Sequence, residues 1–171
     1  MWEYRGQKRP LFAEEPEPGQ ESVWDYPRPP AIVVDQRRVE VRLGNLIIAD
    51  SRQNSRVLET ASPPTFYIPP HCICDQLLEA LPGTSVCEWK GIARYWRLRN
   101  RSGSPQAIGW SYPDPTPRFK AIAGYFSFYP ALVECFVDGE PVRSQAGEFY
   151  GGWITSEIVG PFKGSGDTRH W

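Results

Sequence analysis

A chain of 171 residues with a formal net charge of -1 has room for one well-buried domain and carries no overall field to hold a polyanion, so nucleic acid is not an expected partner. Eighteen prolines and fifteen glycines alongside 13% aromatic residues describe short elements joined by many turns, a mainly β globular domain rather than a helical one. No apolar run is long enough to span a membrane and the first residues lack the apolar core of a secretory signal, so a cytoplasmic protein with no membrane partner is expected.

In chain order, residues 1–20 are polar and proline-punctuated and read as a flexible tail. A single domain then occupies 21–164, with an N-terminal arm over 21–38, a core over about 39–138 and a closing segment over 139–164. In the arm, Trp24 and Tyr26 need burial while Pro27, Pro29 and Pro30 hold the backbone extended, which predicts an arm laid across the domain. The alternative is a docking segment, Trp24 to Pro30, for a partner protein. Val39, Val41 and Leu43 alternate with charged residues before Gly44-Asn45 and a second apolar run, a β-hairpin with a type II′ turn. Short strands follow at 56–59 and 66–68. Asp75 caps a predicted helix over Gln76 to Leu81, which Pro82-Gly83 should stop. The segment 93–99 places Trp96 on one strand face and Tyr95 on the other, and 106–110 returns after a loop over 100–105. A second short helix is expected over 118–123. Strands at 126–129 and 133–137 precede an Asp138-Gly139 hairpin, Gly151-Gly152 allows a close backbone approach, and 165–171 should fray.

The chemistry concentrates between Val86 and Phe119. There Trp89, Tyr95, Trp110 and Tyr112 accompany Cys87, Lys90 and Asp114, and Trp153 is expected to join them from the closing segment. Aromatic walls beside a few polar groups are what a pocket for a flat or cationic molecule requires, with Lys90 or Asp114 orienting it. A second reading makes Cys87 and Lys90 a catalytic pair, the cation favouring the thiolate, although Glu88 opposes this. Arg97, Arg99 and Arg101 read as a solvated strand face. The four cysteines are expected to stay reduced. With Cys72 and Cys74 one residue apart there is no C-x-x-C pair, so neither a metal nor any other cofactor is expected.

The spacing of Ile48-Ala49-Asp50, Leu58-Glu59, Pro63-Pro64, Tyr67, Cys87, Lys90-Gly91, Tyr95, Trp110, Tyr112-Pro113 and Val137-Asp138-Gly139 resembles the bacterial and fungal family known as domain of unknown function 427. Relatives often carry histidine where Ser62 precedes Pro63 here. The resemblance implies a β-tent-like fold, two antiparallel sheets with one or two short helices. The family is also catalogued under a nucleotidyltransferase label. Such transfer needs paired carboxylates, and here Gly103-Ser104 is followed by Asp114 with Thr116 at the second position and no D-x-D anywhere. The expected function is therefore binding of a small molecule in the aromatic pocket, with Cys87/Lys90 chemistry or partner docking as alternatives.

Overall fold

The computed structural model of the chain describes residues 2–99, 106–164 and 166–171. The predicted 100–105 loop, with Arg101, lies outside the described residues. Among the described residues the fold is mainly antiparallel β, its helical content confined to 3-10 segments. One four-stranded sheet, the aromatic sheet, runs in the order Phe126–Phe128, Gly109–Ser111, Gly91–Leu98, Leu78–Cys87. A second, the hairpin sheet, runs Glu140–Pro141, Glu134–Val137, Val39–Leu43, Leu46–Ser51. A smaller sheet joins Ala31–Asp35, Asn54–Leu58 and Thr65–Tyr67, and is tied to the aromatic sheet where Ile68 and Phe126 exchange backbone hydrogen bonds of 2.8 Å in both directions. The two main sheets match the pair that the resemblance implies, and the smaller sheet adds to them.

Local chemistry accounts for the turns. Gly44 takes φ +57, and Asp138 and Gly139 take φ +47 and +81, the two successive positive values of a type I′ hairpin. The helix predicted over Gln76 to Leu81 is not formed. Asp75–Leu77 makes one 3-10 turn and the chain continues directly into the ten-residue strand Leu78–Cys87. The reason is tertiary: the alternating strand Gly91–Leu98 needs a partner, and pairing Leu78 with Leu98 and Cys87 with Gly91 supplies it. Pro82 and Gly83 do not end an element there. They sit in a register shift, for Ala80 pairs with Trp96 and Thr84 with Arg94, leaving 81–83 opposite Tyr95 alone. The second predicted helix is the 3-10 segment Pro117–Ile122. The strand Ala31–Asp35, read in sequence as part of the arm, pairs along its whole length with Asn54–Leu58.

Each face of the aromatic sheet covers a different core. Leu78, Leu98, Phe126 and Phe128 pack with Val39, Val41 and Ile48 of the hairpin sheet, while Ala93 and Trp110 pack on the opposite side with Val57, Tyr67, Phe119 and Ile122. A third cluster forms around the arm: Trp24 and Tyr26 are buried, and the Trp24 Nε1 donates to the Pro161 carbonyl at 3.1 Å. The arm is therefore packed in cis, its two rings turned inward. Residues read from composition as tails reach the same cluster, with Tyr4 and Phe12 edge-on to Trp24 and Trp171 at 5.2 Å from it. Glu21–Ser22 and Ile158–Val159 form a two-residue parallel pair that fastens the arm to the closing segment.

Beside this pair lies a charge network. Asp35 accepts from Arg37 Nη2 at 2.6 Å and lies 3.2 Å from Arg56 Nε, while Glu21 accepts from both Arg56 terminal nitrogens and from the Tyr26 hydroxyl. Burial pushes both carboxyl pKa values up, but hydrogen bonds from the arginines outweigh it and hold them below their ordinary values of 3.8 and 4.5. A carboxylate with a depressed folded pKa gives stability that is complete above the unfolded value and lost as pH falls through the folded one. The urea midpoint should thus stay level down to about pH 4.5 and fall below it. Arg56→Met should flatten that fall, and an unchanged profile in the variant would remove the network from the account.

Candidate functional site

The aromatic sheet face that carries Ala93 also carries Tyr95 and Trp110, which are paired across neighbouring strands. Their rings form one wall of a cavity of about 250 Å³, bounded also by Tyr67, Tyr112, Tyr129, Cys87 and Lys90. Hydrogen bonds fix the rings. Tyr95 and Ser85 hydroxyls lie 2.6 Å apart, and the Trp110 Nε1 donates to the Tyr67 hydroxyl at 3.2 Å. Tyr129 tilts against Trp110 with centroids 4.7 Å apart. The roof is the segment 145–152. A methyl group on Gly151 would collide with the Trp110 ring and one on Gly152 with the Gln145 side chain, so the backbone lies directly on the indole, the close approach expected of the glycine pair.

Lys90 arrives through local backbone chemistry. Gly91 takes φ +98, a conformation open to glycine, at the tight connection between Leu78–Cys87 and its partner strand. Thr116 clamps that connection, its hydroxyl donating to the Trp89 carbonyl at 2.6 Å and its N–H to the Lys90 carbonyl at 3.1 Å. The Lys90 ammonium stands 5.7 Å from the Tyr112 ring centroid. Burial works to lower its pKa, but Tyr67, Cys87 and Glu59 outweigh this and the net direction is upward. Burial raises the Tyr112 and Tyr129 pKa values, with neighbouring tyrosines adding to the effect, and both phenols stay neutral hydrogen-bonding groups. Cys87 lines the same cavity as Lys90 and Tyr112.

Of the residues singled out in sequence, Cys87, Lys90, Tyr95, Trp110 and Tyr112 meet at this cavity. Trp89 packs against the same aromatic cluster without reaching the cavity wall, and its Nε1 is buried with no partner among the described residues. Asp114 is exposed on its turn and does not line the cavity. Trp153 belongs to the other core: it is fully buried, stacked on Phe66 at 4.9 Å, with its Nε1 donating to the Phe128 carbonyl at 3.0 Å. The expectation that it lines the pocket is corrected, because a ring with its only polar atom bonded to backbone and no exposed edge has nothing to offer a ligand. Arg97 pairs with Glu79 at 2.8 Å and Arg99 donates to the Gln76 and Leu78 carbonyls, as a solvated strand face would.

Sequence reasoning did not place Tyr67, Glu59, Tyr129 and Lys163 on the cavity. Tyr67 comes from the smaller sheet and Glu59 from the residue just after its strand Asn54–Leu58, and the fold alone brings them to the aromatic one. Lys163 is a solitary lysine in the closing segment with no local pattern to mark it. All four cysteines are free thiols, and among the described residues no three histidine, cysteine or acidic side chains gather as a metal site would require. No described helix is long and apolar enough to cross a membrane.

The sequence model of a family described as "Domain of unknown function (DUF427)" matches residues 31–139, well over half of the chain. The chain belongs to the DUF427 family. No curated protein matches it. The match takes in the aromatic sheet, Lys90 and Tyr67, Tyr95, Tyr112 and Tyr129 of this DUF427 domain's cavity. The roof segment 145–152 and Lys163 lie beyond it.

Proposed function

We propose that this DUF427 domain binds a small flat molecule in the aromatic cavity, its plane laid against Trp110 and Tyr95. The observation that carries this reading is the set of ring walls held open and oriented by their own hydrogen bonds around about 250 Å³ of space, a volume just below that of drug-sized sites. A core built only for stability would close around such rings, since interiors pack to crystal-like density. Preformed walls lose little side-chain freedom on binding.

Tyr95 gives the cleanest test, being half-buried where Trp110 is buried. In a screen of planar fragments by protein-observed NMR, binders should perturb residues of the aromatic sheet. Tyr95→Ala should weaken the best of them at least tenfold with only a small loss of thermal midpoint. Fragments that bind Tyr95→Ala as well as the parent would sink the reading.

A second reading, thiol chemistry at Cys87, draws on Lys90 and Tyr112 lining the same cavity as its side chain. Iodoacetamide separates the two: a reactive thiolate takes the label ahead of the exposed Cys74, whereas an inert wall residue takes it after.

A further inference from the structure

The cavity carries more positive charge than its own residues neutralise. Lys163 is only 8% exposed, and its backbone is held at both polar groups, the N–H donating to the Ala61 carbonyl at 2.7 Å and the carbonyl accepting from Gln145 Nε2 at 2.6 Å. The residue lines the cavity, and its ammonium has no hydrogen-bond acceptor and no carboxylate within 4.0 Å among the described residues, resting instead 4.6 Å from the Trp2 ring centroid and 6.0 Å from that of Tyr150. Lys90 likewise has no carboxylate within 4.0 Å among the described residues. Among the described residues the one carboxylate on the cavity wall, Glu59, is already engaged by Arg28 Nε at 3.2 Å, and that arginine's side chain is 1% exposed. Of these residues, two lysines and one carboxylate therefore line the cavity, and that carboxylate is already paired with Arg28.

Burying a charge without a partner is costly, and a protein relieves the cost by neutralising the group or by supplying a counter-charge. Burial lowers the Lys163 pKa, and an anion from outside would supply the counter-charge that neither lysine finds within 4.0 Å among the described residues. Aromatic walls accept a ring face, and two ammonium groups accept carboxylate oxygens by charge-assisted hydrogen bonds. With Arg28's fork taken up by Glu59 and the Tyr4 and Thr60 carbonyls, the bidentate group that favours phosphate is absent from the cavity.

We infer that the ligand is a planar carboxylate, a single ring system bearing a short acid group, with the ring on Tyr95 and Trp110 and the acid held by Lys90 and Lys163. This inference rests on the cavity being a ligand site. A cation, which the rings taken alone would also accept, is disfavoured by the two lysines.

Benzoate, benzamide and benzamidinium have nearly the same shape and carry charges of opposite sign or none. Titrated calorimetrically into the full chain, benzoate should bind at least tenfold more tightly than the other two, and Lys163→Met should abolish that preference while keeping the thermal midpoint. If Lys163→Met does not fold, Lys90→Met carries the same test. Benzamide or benzamidinium binding as well as benzoate would overturn the carboxylate and leave the cavity standing as a site. Benzoate binding undiminished by either lysine variant would also overturn it. Failure of all three probes to bind would remove both the carboxylate and the ligand site.

Discussion

Trp153→Ala is expected to lower the thermal midpoint by about 6–20 °C. The ring is wholly buried, stacks on Phe66 and donates to the Phe128 carbonyl. Truncating a core tryptophan costs about 3–5 kcal/mol from lost burial and the void left behind. The Phe128 carbonyl loses its side-chain donor as well. Total stability of a domain is about 5–15 kcal/mol, and each kcal/mol moves the midpoint by about 2–4 °C at this chain length. Scanning calorimetry reads the result. Because the Trp153 backbone N–H also donates to the Pro64 carbonyl at 2.8 Å, the variant should loosen the roof before the sheets separate, and NMR shifts at Trp110 should move with it. A midpoint within about 3 °C of the parent would mean that the closing segment is held by something other than this ring.

Arg28→Met is expected to cost about 3 kcal/mol and to change what the cavity prefers. Arg28 is the hub between arm and core, donating to Glu59, to the Thr60 carbonyl at 2.8 Å and to the Tyr4 carbonyl at 3.1 Å. Breaking a buried pair by removing one partner costs about 3–5 kcal/mol, and the lower end applies because the Glu59 side chain is 22% exposed. Freed of the arginine, the Glu59 carboxylate becomes available to the two lysines, so the benzoate preference should fall even though no lysine has changed. Chemical denaturation measures the first effect and calorimetric titration the second. Full benzoate preference in a folded Arg28→Met protein would show that Glu59 does not set the charge of the cavity.

The parts of this molecule that were readable in sequence are those fixed by neighbours in the chain. The hairpins at Gly44-Asn45 and Asp138-Gly139 follow from turn residues that take positive φ, and the opposite facing of Tyr95 and Trp96 follows from the two-residue period of a strand. Cys87, Lys90, Tyr95, Trp110 and Tyr112 come together because the aromatic sheet is built largely from one continuous stretch. The helix expected at Gln76 to Leu81 shows where local reading stops: its residues suit a helix, but the strand beside them has an unpaired edge, and pairing decides. Lys163, Tyr67 and Glu59 reach the cavity through contacts between distant segments. Trp153 was misplaced for a related reason, since local sequence gives a ring near two glycines but not the side of the sheet it enters.

The parallel pairing of Glu21–Ser22 with Ile158–Val159 has a bearing on time as well as on structure. The cavity draws its lining from Val57 through Lys163, and its roof settles once the closing segment has come back to the arm. Contacts between segments this far apart in sequence form slowly, because the entropy of closing so long a loop is spent before any contact repays it. The aromatic sheet, made of consecutive strands, is then assembled while the cavity is still an open trough. Binding competence should lag behind the appearance of β structure during refolding, so that the site is the last part of the molecule to come into existence and the first to go.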